Sequence, residues 1–259
     1  MQQLLNKVAI ITGSGRGIGR GIAKHFASEG AKVVIATLDE QEGLEVEQEI
    51  LQAGGSALCI PTDVESDSSI QYMVDKTIEK FSKIDVLVNN AGITLFKPLF
   101  EATLEDWNRV INIDLRGSFL CSKYVAKHMK DSGGGSIINI SSNHAIATLP
   151  DTEMYAAAKG GINSMTKSMA LSLGKYNIRV NAICPGFTDT PHYRTWLDQH
   201  ENPSLIENEV LKLHAHGKIC TPEDIANLAL FLATDQSSKM TGESIVLDGG
   251  LSYRLYQSI

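Results

Sequence analysis

Residues 7–30, KVAIITGSGRGIGRGIAKHFASEG, carry the pattern that decides the fold. KVAIIT is a short apolar, β-branched run, the composition of a buried strand, and it passes directly into the glycine-rich turn GSGRGIG. The segment after the turn has the spacing of an amphipathic helix. Amides freed by Gly13, Gly17 and Gly19 at a helix N-terminus form an anion site suited to a pyrophosphate. The spacing is G-x-x-x-G-x-G, which departs from the commoner G-x-G-x-x-G of dinucleotide-binding turns.

Outward from this unit, strand-like runs recur near 8–12, 32–36, 56–60, 86–89, 136–140, 179–183 and 244–247, with helical patterns between them. That alternation predicts an α/β fold: a doubly wound parallel sheet of about seven strands with helices on both faces. No Pro-, Gly- or Ser-rich linker interrupts it, so residues 1–259 read as one domain. Residues 188–220 break the rhythm, being polar and carrying Pro191, Pro203, His192, Trp196, His200, His214 and His216. An insertion after a strand's carboxyl end lies over the ligand crevice, which makes this segment the expected substrate lid.

Composition narrows the function. The 259 residues are 43% hydrophobic and 20% charged, enough to bury a substantial core. A net charge of -7 argues against a nucleic-acid or anionic-membrane surface, either of which needs a basic patch. No apolar run approaches the ~20 residues that span a bilayer. MQQLLNKVAII has no basic leader region, so no signal peptide is expected. Cys59, Cys121, Cys184 and Cys220 are scattered and match no metal or disulfide spacing; a reducing, cytoplasmic setting and no metal are expected.

The chemistry-bearing residues lie further on. Tyr155 and Lys159, in YAAAKGG, share a face at i and i+4 if the run is helical. An ammonium beside a phenol favours the ionised phenol and gives a proton donor and acceptor that works near neutral pH. Ser142, ending the apolar run SIINISS, supplies a hydroxyl at a strand end to hold a substrate oxygen. Taken alone, YAAAK is also an ordinary helix segment. It comes, however, in fixed order with the glycine turn, with NNAG at 89–92 and with PG at 185–186.

On these motifs, which run from Lys7 to LDGG at 247–250, the chain resembles the short-chain dehydrogenase/reductase family. The resemblance implies a Rossmann fold and an NAD(P)-dependent oxidoreductase acting on an alcohol or carbonyl. Tyr155 would be the general acid/base, Lys159 would favour its ionised form and bond the nicotinamide ribose, and Ser142 would orient the substrate oxygen. On the cofactor side, Gly13, Ser14, Arg16, Gly17, Ile18 and Gly19 match the pyrophosphate loop. Asp63 and Val64 match the positions flanking the adenine, and Asn90, Ala91 and Gly92 those beside the ribose. Pro185, Gly186 and Thr188 match the segment near the carboxamide; Thr190 either binds a phosphate or caps the lid helix. A homotetramer built on helices near 103–130 and 152–175 is also implied.

Three departures from the family pattern matter. NAD-preferring members usually end the second strand with an Asp, where this chain has Thr37; Asp39 is two residues late and points elsewhere. With Arg16 matching a basic residue that faces the 2′-phosphate in many NADP-using relatives, NADP is expected over NAD. Next, Asp114 occupies the place of an Asn whose main-chain carbonyl binds a relay water. The exchange is expected to be near neutral, so that Asp114→Asn changes activity only a few-fold. Finally, His144 follows Ser142 where relatives often carry Gly, and is either a pocket residue or an ordinary loop histidine. With His192 and Trp196 of the lid it completes the expected substrate side, although those lid residues also read as a solvated surface. Against an oxidoreductase stand an idle dinucleotide-binding regulator and a dehydratase, epimerase or enoyl reductase of the same fold. Joint retention of Ser142, Tyr155 and Lys159 disfavours idleness, and the Y-x-x-x-K spacing is narrower than enoyl reductases use.

Overall fold

A computed structural model describes residues 2–254. Its sheet contains β1 (Val8–Thr12), β2 (Lys32–Thr37), β3 (Ser56–Pro61), β4 (Val86–Asn89), β5 (Gly135–Ile140), β6 (Ile178–Pro185) and β7 (Ser244–Leu247). All are parallel, in the order β3-β2-β1-β4-β5-β6-β7. The seven strands fall where the apolar runs predict them. The order reverses between β1 and β4, and the crevice at the carboxyl ends of those strands is the topological switch point.

Strand period two sorts the core onto two faces. Ala9, Ile11, Val33, Ile35, Val86, Val88 and Ile138 meet α1 (Gly17–Ser28), α2 (Glu40–Gln52) and α9 (Pro222–Ala233). Their neighbours Ile10, Val34, Leu87 and Ile137 meet α3 (Asp67–Phe81), α5 (Gly117–Asp131) and α6 (Glu153–Leu173). Because β1 is buried along its whole length, its sequence reads as an unbroken apolar run. Each fully buried Ile or Val on these faces contributes about 1.5–3 kcal/mol.

Two features place the functional side chains. α4 (Leu104–Val110) and α5 form one long helix through a π-helical turn at Ile111–Arg116, and Asp114 lies in that turn. The segment expected to cover the crevice contains α7 (Pro191–Asp198) and α8 (Pro203–Leu213), each opening on a proline and capped by Thr190 and Asn202. Among the described residues no helix is long and apolar enough to cross a membrane.

Candidate active site

Glycine is required in the first turn by close approach as well as by dihedral angle. Gly13 and Gly17 adopt φ of +62° and +55°. A Cβ on Gly19 would lie 2.4 Å from the Gly13 carbonyl and 2.5 Å from Asn90 Nδ2. The turn is laced to β4: Asn90 Nδ2 donates to the Thr12 and Gly13 carbonyls at 2.9 and 3.0 Å, and the Asn90 and Ala91 amides both donate to Thr12 Oγ1 at 3.0 Å. Ser14 Oγ is spent inside the turn, donating to the Ile11 carbonyl at 2.7 Å. α1 then begins with Arg16 as N-cap, without a side-chain cap and without an acid in its first turn, which leaves the amides of Gly17, Ile18 and Gly19 and the helix dipole to an anion. A pyrophosphate fits this cradle.

At the end of β2, Thr37 is buried. Asp39 caps α2 by accepting from the Glu42 amide at 3.1 Å, so it does point away from the second-strand position. Sequence reading missed Glu42. Its carboxylate lies 3.6 Å from Arg16 Nη1, and a Cβ on Gly15 would come within 2.9 Å of Glu42 Oε2. An acid beside the dinucleotide loop thus comes from the first turn of α2 and not from the strand. Further round the crevice, Asp63 Oδ1 accepts from the Glu65 amide at 2.8 Å, and Val64 packs against Gly117 at the start of α5. Gly186 presses on Asp248, where an added Cβ would meet Asp248 Cβ at 2.6 Å. Thr188 is buried with its hydroxyl on the Gly186 carbonyl at 3.1 Å, and Thr190 caps α7 by accepting from the Tyr193 amide at 3.2 Å. Capping is therefore the role that the structure shows for Thr190.

The catalytic candidates converge from β5 and α6. Ser141 and Ser142 follow β5 and diverge: Ser141 Oγ donates to the Lys159 carbonyl at 3.1 Å, pinning α6, while Ser142 Oγ accepts from the His144 amide at 3.1 Å. Lys159 is buried, donates to the Ile140 carbonyl at 3.2 Å, and lies 5.3 Å from the Tyr155 ring centroid. Burial alone would depress its ammonium, but the Asp114 carboxylate and the Tyr155 hydroxyl more than offset that, and the net direction is upward.

His144 packs against Tyr155. Its ring stands edge-on to Tyr155 at 5.5 Å and tilted against Phe96 at 5.7 Å, with Phe96 6.0 Å from Tyr155. Burial lowers its proton affinity, so neutral imidazole is favoured, and Nδ1 pairs with Thr148 Oγ1 at 3.2 Å. Phe96 has no motif; its one sequence cue is being an aromatic residue in the loop just after NNAG.

His192 and Trp196, both expected on the substrate side, lie on α7. Trp196 turns into the lid's own core, with ring contacts at 5.8 Å to Phe187 and to Tyr193 and at 4.8 Å to His200, because the short helices α7 and α8 need an apolar seam between them. Burial, and after it the Arg16 charge, lowers the proton affinity of the His192 imidazole. Asp114 is engaged through both its side chain and its main chain. Its carboxylate is wholly buried with Oδ2 3.1 Å from Lys159 Nζ, and its main-chain carbonyl, expected to hold a relay water, accepts from Ser118 Oγ at 2.7 Å.

A sheet of this order, with an anion-receiving turn at the switch point and a lysine buried under a tyrosine beside it, defines a class: the dinucleotide-dependent oxidoreductases. A family model described as "Enoyl-(Acyl carrier protein) reductase" matches residues 13–252. An uncharacterized oxidoreductase of Thermotoga maritima is 43% identical over 97% of this chain and 98% of its own length. The 3-oxoacyl-acyl-carrier-protein reductase FabG of Chlamydia pneumoniae is 40% identical over 96% and 98%. The crystal structure of levodione reductase superposes with a TM-score of 0.93 at 31% identity, over 97% of this chain and all of the other. The chain belongs to the short-chain dehydrogenase/reductase family, whose oxidoreductases use nicotinamide dinucleotides.

Proposed function

We propose that the chain is an NAD(P)-dependent alcohol dehydrogenase or carbonyl reductase in which Tyr155 exchanges the substrate proton. The observation that carries this is the buried Lys159 ammonium, fixed by the Ile140 carbonyl and lying under the Tyr155 ring, with Ser142 and His144 alongside. When bound, the nicotinamide supplies or accepts the hydride. The residues do the rest. Gly13, Gly17, Ile18, Gly19 and Asn90 would cradle the pyrophosphate, Lys159 would bond the ribose, and Ser142 would orient the substrate oxygen. Tyr155 gives a proton to that oxygen in reduction and takes it in oxidation, while Phe96 and His144 form an aromatic wall of the substrate pocket. Following nicotinamide absorbance with purified protein against a panel of alcohols and ketones tests the reading. No turnover on any of them would leave the idle regulator standing.

The same reading takes residues 1–259 as one cytoplasmic domain with its lid at 188–220, active as a homotetramer on a small alcohol or carbonyl. Free cysteines suit a reducing compartment. Phe119 and Leu171, 47% and 86% exposed on α5 and α6, suit a helix-to-helix contact between copies.

NADP is the cofactor we assign. Thr37 places no charge against a 2′-phosphate, and Arg16 supplies a cation. Glu42 competes for that cation, so the margin over NAD is modest. Arg16→Ala is expected to lower kcat/KM for NADP about tenfold, the low end for a hydrogen bond to a charged group at about 1.5 kcal/mol. Glu42→Gln should raise it several-fold, and Thr37→Asp should turn the preference to NAD by adding a ribose acceptor that repels phosphate. A wild-type preference for NAD of about tenfold or more in kcat/KM would sink the assignment.

A further inference from the structure

We propose that Asp114 is the dedicated counter-ion of Lys159, a positioning residue that holds the ammonium and sets how much of its field reaches Tyr155. This rests on the reading of Tyr155 as the proton-exchanging group. The carboxylate has no exposure to solvent. Oδ1 accepts from the Ile93 amide at 2.9 Å, and Oδ2 faces Lys159 Nζ at 3.1 Å, in contact distance but off the line of a well-formed hydrogen bond. The contact is therefore chiefly Coulombic. An ionised carboxylate is tolerated at such a place only beside a cation, and Lys159 is the cation that meets it.

The surrounding backbone is built for this pair. The π-helical turn at Ile111–Arg116 inserts a residue into the long helix and aims Asp114 inward, a geometry common at functional sites. Gly92 leaves the space open, since a Cβ there would stand 3.1 Å from Asp114 Oδ2 and 3.3 Å from Lys159 Nζ. Besides Asp114 and Tyr155, the titratable groups facing this locus are Cys184 on β6, whose thiol burial pushes up, and His144, which burial keeps neutral. Among the described residues, Asp114 is then the one fixed negative charge near Lys159. It offsets part of the ammonium's attraction for an ionised phenol while locking the ammonium in position.

Asp114→Asn keeps the shape and an acceptor for Ile93 but removes the charge. So long as Lys159, held by the Ile140 carbonyl, stays protonated, removing a negative charge that disfavours the phenolate should move the acid limb of the pH–rate profile for alcohol oxidation to lower pH. A second readout needs no turnover: the tyrosinate difference absorbance of the cofactor-free protein, with the Tyr155→Phe background subtracted, should move in the same direction. If Asp114→Asn does not fold, Asp114→Ser, which is smaller, carries the same expectation. A lower kcat with the limb and the tyrosinate titration both unmoved would show a merely structural carboxylate and overturn the proposal. Should the enzyme show no turnover at all, the tyrosinate titration still decides this point separately from the proposed activity.

Discussion

Tyr155→Phe lowers kcat at least ~10²-fold while leaving the fold and cofactor affinity near wild type, the scale expected on deleting a general acid/base. The substitution removes one oxygen and keeps the ring. The edge-on contacts at 5.5 Å to His144 and 6.0 Å to Phe96, and the 5.3 Å approach of the Lys159 ammonium to the ring centroid, are made to the ring, which Phe keeps. Thermal melting and dinucleotide titration should therefore barely change, which isolates the proton step. A variant that retained near wild-type turnover on every substrate found would show that the proton leaves by another route. Neutral His144 would then be the first group to examine, since it touches the same ring.

Legibility in the sequence tracks how local each contact is. The strands are legible because a parallel strand covered on both faces is nearly continuously apolar, as VAII of β1 is. The glycine turn was legible because its backbone angles and the 2.4 Å approach of a Gly19 Cβ to Gly13 exclude other residues. The Tyr155–Lys159 pair lies within one helical turn, and its spacing states its geometry. By contrast, Glu42 reaches Arg16 from a different element, across the end of β2, and no spacing announces it. Phe96 joins the site from an irregular loop. The ring contact of Trp196 with Phe187 joins α7 to the stretch after β6, and no spacing announces it either. The π-helical turn leaves no mark in INIDLR, so the inward aim of Asp114, and with it the pairing to Lys159, could not be foreseen.

The pairing has a consequence for stability as well as for rate. Lys159→Met removes a cation whose alkyl stem Met can replace in volume, but it strands the Asp114 carboxylate, which has no exposure and, among the described residues, no other cation against it. Breaking a buried pair by removing one partner costs about 3–5 kcal/mol, and for a chain of this size each kcal/mol lowers Tm by about 2–4 °C. A fall in Tm on the order of 10 °C is expected. Turnover should fall by at least ~10²-fold, because the phenol loses the charge that favours its ionised form. The acid limb of whatever oxidation remains should move to higher pH, opposite to the shift expected for Asp114→Asn. Cofactor affinity should weaken together with it if Lys159 bonds the ribose. The double variant Lys159→Met, Asp114→Asn then separates the two roles. With no charge left to strand, it should recover most of the lost Tm, the non-additivity expected of contacting residues, yet none of the turnover. If the two stability losses simply add, the 3.1 Å contact carries no coupling and Asp114 is not the counter-ion. If turnover returns along with stability, the loss in Lys159→Met came from a damaged fold, and the ammonium has no part in activating Tyr155.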